Sequence, residues 1–212
     1  MDRTQIATAA LARNDRYLRE FVEALRLCPF AKACREEGRL DRRVLFAEDE
    51  RLGQLAAAFV QTVLGELATV AAQVEVALFI FPLAPTGSVD AAREFEAFGR
   101  AVREGMPKPA VFYCVAFHPD LPRDLRDAHR AVPFVRRSPD PTLQFVRIAT
   151  LDAVRGKDGD RYVDPSSLTP DVLTSLEARQ SLSDRIAEEN FRTLLEQGPD
   201  ELERLLRTMA GR

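Results

Sequence analysis

The run from Val74 to Phe81 is apolar at every position but Glu75, and no other stretch limits the fold as tightly. A strand points successive side chains to opposite faces, so one without polar alternation needs cover on both. A second such run, Ala110 to Phe117, delivers His118-Pro119 to its C-terminal end, where α/β sheets often keep functional groups. Thr142 to Ile148 alternates and reads as a further strand, and Arg43 to Ala47 as a shorter one. The cover comes from amphipathic helices. One runs from about Asp49 to Val70 with Leu52, Leu55, Phe59, Val63 and Leu67 on one face; another runs from Ser88, a candidate cap, to Glu104 with Phe95, Phe98 and Val102 inward. These elements predict an α+β protein: a four-stranded sheet layered with helices on a ferredoxin-like plan, with a C-terminal helical extension.

At 212 residues, 46% of them hydrophobic, the chain has material for one domain with a substantial core. That core spans about 15–156, followed by a polar segment at about 157–170 that reads as a mobile surface loop, and by C-terminal helices over about 171–210. From Asp120 to Pro141 the chain reads as a long proline-punctuated connection, a lid or functional loop. No apolar run is long enough for a membrane span and no signal-peptide pattern opens the chain, so a soluble cytoplasmic protein is expected. Thirty basic against 33 acidic residues, with no tryptophan, argue against nucleic-acid binding. Dinucleotide, P-loop, zincin and α/β-hydrolase signatures are absent from the sequence. No cofactor is specified, and the three cysteines, Cys28, Cys34 and Cys114, lack the spacing of a disulfide framework or a closed zinc site.

Apolar positions from Thr4 to Leu27 recur at helical spacing, as one broken or two short helices with Asn14 or Asp15 as a restart cap. Cys28-Pro29 then interrupts the pattern, and a short segment to Glu37, closed by Gly38, suits a new helix. Proline disfavours helical geometry at the residue before it and suits a first helical turn, so Cys28 becomes the expected N-cap. There a thiolate would be favoured over a thiol.

Leu27-Cys28-Pro29-Phe30-Ala31, Phe117-His118-Pro119 and Arg137-Ser138-Pro139-Asp140-Pro141-Thr142-Leu143 together resemble the bacterial family catalogued as domain of unknown function 1415. Ile186 to Leu194, with Asn190 at its centre, resembles that family's terminal helix. Leu121 and Gln144 depart from the expected pattern, which has an aromatic and a histidine there. The resemblance implies candidate residues and no reaction.

Cys28 as thiolate and His118 as acid or base form the expected catalytic pair, because imidazole shuttles protons near neutrality. The plain alternative is a small buried cysteine at a helix junction and a histidine bonded to a carbonyl. Six arginines lie between residues 123 and 147, and Arg137, Ser138 and Arg147, with Asn190 bracing, are the expected binders of a small anion. The alternative for the run is a solvated loop with internal ion pairs. The leading expectation is an enzyme acting on a small anionic metabolite. The others are a non-catalytic ligand-binding module, a homodimer built through the stripe Leu202, Leu205, Leu206 and Met209, and a metal-dependent protein.

Overall fold

The computed structural model describes residues 2–28, 31–46, 56–155 and 182–211. Four strands, β1 (Leu40–Val44), β2 (Val76–Ile80), β3 (Phe112–Phe117) and β4 (Thr142–Arg147), form one sheet in the order β1-β2-β4-β3. β1 runs parallel to β2, whereas β4 is antiparallel to both β2 and β3. The mixed α+β class holds. The ferredoxin-like plan is not confirmed: β4 lies between β2 and β3 and antiparallel to both, but β1 pairs directly with β2 and parallel to it. β1 also begins earlier than the Arg43–Ala47 expectation. Arg42 and Arg43 are accommodated in it because they pair with Asp15, and with Asp41 and Glu66, so all five strand residues stay half-buried.

Two helices, α3 (Ala56–Ala68) and α4 (Val89–Gly105), cover one face of the sheet. Ser88 caps α4 by accepting the Ala91 N–H at 3.0 Å, as read from sequence. Ala77 and Phe79 of β2, Leu143 and Phe145 of β4, and Phe112 and Cys114 of β3 point to this side and meet Phe95, Phe98 and Val102. Each fully buried phenylalanine adds roughly 1.5–3 kcal/mol relative to exposure. The helix comes close to the sheet at Gly99, where a Cβ would lie 3.1 Å from both Ala116 Cβ and Leu143 Cδ2.

The opposite face, with Val76, Leu78 and Val146, is covered by α1 (Arg3–Tyr17), α5 (Ala128–Val135), α7 (Leu182–Gln197) and α8 (Pro199–Met209). The short α2 (Ala31–Glu36) and α6 (Ile148–Arg155) complete the described helices. α1 opens with a reciprocal box between Asp2 and Gln5 and continues without a break into a π-helical turn, Leu18–Glu23. That turn ends at Arg26, whose φ of 55° is left-handed. Its N–H donates to Glu23 O at 3.1 Å and the Leu27 N–H to Val22 O at 2.9 Å, the pair of bonds that closes a helix C-terminus.

The 120–141 connection is not an extended lid, because it contains α5. Asp127 caps that helix by accepting the Arg130 N–H at 2.9 Å, and Ala131 and Phe134 are buried despite Pro133 inside it. Leu202, Leu206 and Met209 of α8 are buried on the body of the chain, which uses most of the stripe considered for a partner. Among the described residues no helix is long and apolar enough to cross a membrane. The expected loop at 157–170, the helix start at 171–181, the first turns of the 49–70 helix and Pro29-Phe30 lie outside the described residues.

Candidate functional site

A cavity of about 360 Å³ lies between the second face of the sheet and the helices α1, α5 and α7. It sits at the lower end of the range for small-molecule sites. Strand periodicity builds its floor. Tyr113, Val115 and Phe117 of β3 share one face with Val76 and Leu78 of β2 and with Gln144 and Val146 of β4. Most of the wall is apolar, and the polar groups on it are few: Asn14, Tyr17, Cys28, His129, Arg136, Ser138, Thr142, Asp184 and Asn190 are among them.

Cys28 is half-buried and accepts the Ala31 N–H on its carbonyl at 3.3 Å; the expected helix start at Pro29 lies outside the described residues. A bidentate pair clips the joint from both sides: Arg35 of α2 donates through Nε and Nη2 to the two Glu23 carboxylate oxygens at 2.6 and 2.9 Å. Asn190 Nδ2 donates to Leu27 O at 3.4 Å and holds the residue next to Cys28. Ser138 Oγ donates to Asp140 O at 2.7 Å, and Thr142 Oγ1 donates to the same oxygen at 2.9 Å. The Asp140 carboxylate receives Arg13 Nε and Nη2 at 2.9 and 2.7 Å. The arginine-serine-proline stretch therefore fastens α1 to the start of β4 while presenting Ser138 to the cavity.

His118, Arg137 and Arg147 are placed elsewhere. With Phe117 facing the cavity, the next residue points to the other side of the sheet, and the His118 ring lies 5.7 Å from Phe95. It is fully buried, its Nε2 3.0 Å from Pro85 O and its Nδ1 accepting the Asp120 N–H at 3.2 Å. That pattern is the neutral Nε2–H tautomer. The expected Cys28–His118 pair is thus not assembled. Arg137 donates to Leu121 O at 2.7 Å and to Glu203 at 3.0 Å, fixing α8; Arg147 donates to Val74 O at 2.7 Å and Ala71 O at 3.1 Å. Neither lines the cavity.

Other residues of the same chemistry line the cavity in their place. His129 and Val132 of α5 and Arg136, the residue that caps its C-terminus, follow at spacings of three and four, and all three line the cavity. His129 Nε2 is 3.8 Å from Asp184 Oδ1 of α7. Of the six arginines from 123 to 147, five use their guanidinium groups on carboxylates or carbonyls: Arg123 on Asp200 and Glu203, Arg126 and Arg130 on Asp124, and Arg137 and Arg147 as above. Arg136 has no side-chain hydrogen bond or ion pair among the described residues, and burial pushes its guanidinium down from the usual range. Asn14 and Tyr17, each 4% exposed, line the cavity with Oδ1 and the phenol oxygen unpartnered among the described residues. Burial, reinforced by the electrostatic influence of Cys28, pushes the Tyr17 phenol above its ordinary range. Cys34, also on the wall, is buried and donates to Glu75 Oε2 at 3.3 Å; burial pushes its thiol up to about 12, so it stays protonated. Among the described residues no group of three or more His, Cys, Asp and Glu is gathered as metal ligands would be.

A family model described as "Protein of unknown function (DUF1415)" matches residues 9–165, and the chain belongs to that family. No curated protein and no solved structure matches it.

Proposed function

We propose that this member of a family without an assigned reaction binds a small organic anion in the 360 Å³ cavity, the ligand apolar along its body and charged at the end that meets Arg136. The observation that carries the reading is that three polar groups on this wall, Asn14 Oδ1, the Tyr17 hydroxyl and the Arg136 guanidinium, have no hydrogen-bond or ion-pair partner among the described residues, whereas Ser138, Thr142 and Asn190 on the same wall do. Asn14 Oδ1 and the Tyr17 hydroxyl are buried, and the half-buried Arg136 guanidinium feels the charge of Glu96 but makes no ion pair with it or with any other described residue. Burying a polar group without a hydrogen bond costs about 1–3 kcal/mol, a cost that ligand binding offsets. Asn14 and Tyr17 lie three apart on α1 and so offer adjacent contacts, an acceptor and a hydroxyl. The apolar wall takes up the body of the ligand.

The test is a fluorescence titration with 1-anilinonaphthalene-8-sulfonate, an aromatic anion of the proposed class. Saturable binding to the folded chain is expected, weakened about tenfold by Arg136→Gln, the loss of one charge-assisted hydrogen bond. Val132→Phe, which fills the cavity, should abolish it. Unchanged affinity in both variants, with native circular dichroism, refutes the reading.

A second reading makes the protein an enzyme on that ligand. It is favoured by the presence of Cys28 and the His129–Asp184 pair on the same wall. Here Cys28 is the nucleophile and His129, not His118, is the base. Iodoacetamide should label Cys28 selectively, since burial holds Cys34 and Cys114 as thiols. The labelling rate should fall in His129→Ala. A rate indifferent to that substitution removes His129 from the chemistry.

A further inference from the structure

We infer that the outer edge of the sheet carries a second site, one that takes an oxyanion of the phosphate class. β3 is the last strand in the sheet order, and along it lies a separate cavity of about 230 Å³, lined by Arg100 and Arg103 of α4, by Arg136, by Glu96 and by the β3 residues from Tyr113 to Ala116. The walls of this space differ in kind from those of the larger one: three guanidinium groups face it, opposed by one carboxylate. Arg100 and Arg103 are one turn apart on α4 and project to the same side.

The arginines elsewhere show why this grouping is informative. Arg13, Arg35, Arg39, Arg43, Arg123 and Arg137 are each held by carboxylates. Arg100, Arg103 and Arg136 have no side-chain hydrogen bond or ion pair among the described residues, although Glu96 is one turn before Arg100 on the same helix. Arg103 and Arg136 are near enough to repel, and both Glu96 and Tyr113 act on Arg136 electrostatically. Three guanidinium groups gathered around a cavity with a single carboxylate among them leave an excess of positive charge that an anion relieves, and guanidinium forks match the oxygens of a phosphate bidentately.

Arg136 belongs to the walls of both cavities, with Tyr113 and Val115. The edge site rests on Arg100 and Arg103 and stands without the reading of the larger cavity. The shared guanidinium nonetheless couples them: a phosphate drawing Arg136 to the edge removes it from the end of the organic anion. The oxyanion can be a free ion or the charged end of the cavity ligand, and the two origins separate in the experiment.

Inorganic phosphate and pyrophosphate are titrated calorimetrically into the full chain. Saturable binding is expected, with affinity lowered at least tenfold in the double variant Arg100→Gln/Arg103→Gln and in Arg136→Gln. The double variant should keep its affinity for anilinonaphthalene sulfonate, which reports the larger cavity and shows that the fold is intact. Phosphate binding that survives Val132→Phe supports a free ion; binding lost in that variant supports the end of a ligand threaded from the larger cavity. Absence of saturable binding at millimolar phosphate and pyrophosphate, or binding indifferent to the double variant, overturns the proposal, whatever the sulfonate titration shows.

Discussion

Replacing Tyr17 by phenylalanine should make the ligand-free protein more stable. The ring is 4% exposed and stacks on Phe21 with centroids 5.5 Å apart and planes 20° apart, contacts that phenylalanine keeps. What disappears is the hydroxyl, buried without a partner among the described residues. An unsatisfied buried hydroxyl costs about 1–3 kcal/mol, and the low end applies because the oxygen borders a cavity roomy enough for water. A gain of about 1 kcal/mol raises the melting temperature of a chain this long by about 2–4 °C. Scanning calorimetry at neutral pH on the ligand-free protein reads the shift, and the sulfonate titration should show weaker binding by the same variant. Were the hydroxyl hydrogen-bonded, its removal would cost about 0.5–1.5 kcal/mol. A melting temperature that is unchanged or lower therefore refutes the view of Tyr17 as a group kept for a ligand.

Arg13→Ala leaves the 8%-exposed Asp140 without its bidentate partner and should destabilise the chain by about 2 kcal/mol in urea unfolding; a loss under about 0.5 kcal/mol would show that the pair does not hold α1. Arg26→Gly relieves a left-handed backbone at an exposed position and should stabilise the chain by up to about 1 kcal/mol by the same measurement. Cys34 and Cys114 have thiols pushed up to about 12, chiefly by burial, so the unfolded chain loses these protons first as pH rises. Their contribution is whole below the ordinary thiol range and is lost between that range and about pH 12. Cys114→Ala should accordingly show a shallower fall in stability between about pH 8 and 11.

The sheet was legible where local pattern and burial agree. Val74–Phe81 is a central strand because β1 and β4 flank it and helices cover both its faces, and Ser88 caps α4 because its hydroxyl reaches the third N–H beyond it. α5 is hidden for a local reason: it is only eight residues long with a proline inside, in a segment rich in prolines, and the helix is held by the Asp127 cap and by burial of Phe134. With α5 unseen, His129 and Arg136 could not be placed together. The parity of β3 was readable, and it separates His118 from the face that carries Val115, but which face Cys28 joins depends on how α1 crosses the sheet. The arginine run was legible as charge, not as contacts. Arg147 ends on backbone carbonyls and Arg137 on Glu203, sixty-six residues further along, pairings that no spacing rule signals. Nor does apolar spacing distinguish an α-turn from the π-turn at Leu18–Glu23.

The two helical layers differ in how the chain reaches them. The α3/α4 layer and the strands beneath it come from one continuous stretch, about 56–146, so its contacts close short loops. The other layer joins Tyr17 and Phe21 to Phe134, Leu194 and Leu206, so it cannot close during synthesis until α8 has been made. The cavity lies in this late layer, and its surroundings are thus the last part of the described fold to become whole. Amide exchange should find it the first to open. An anion seated there would add to the contacts that already join these segments, such as Asn190 to Leu27 and His129 to Asp184, and so slow the exchange of α1 and α7 more than that of α4.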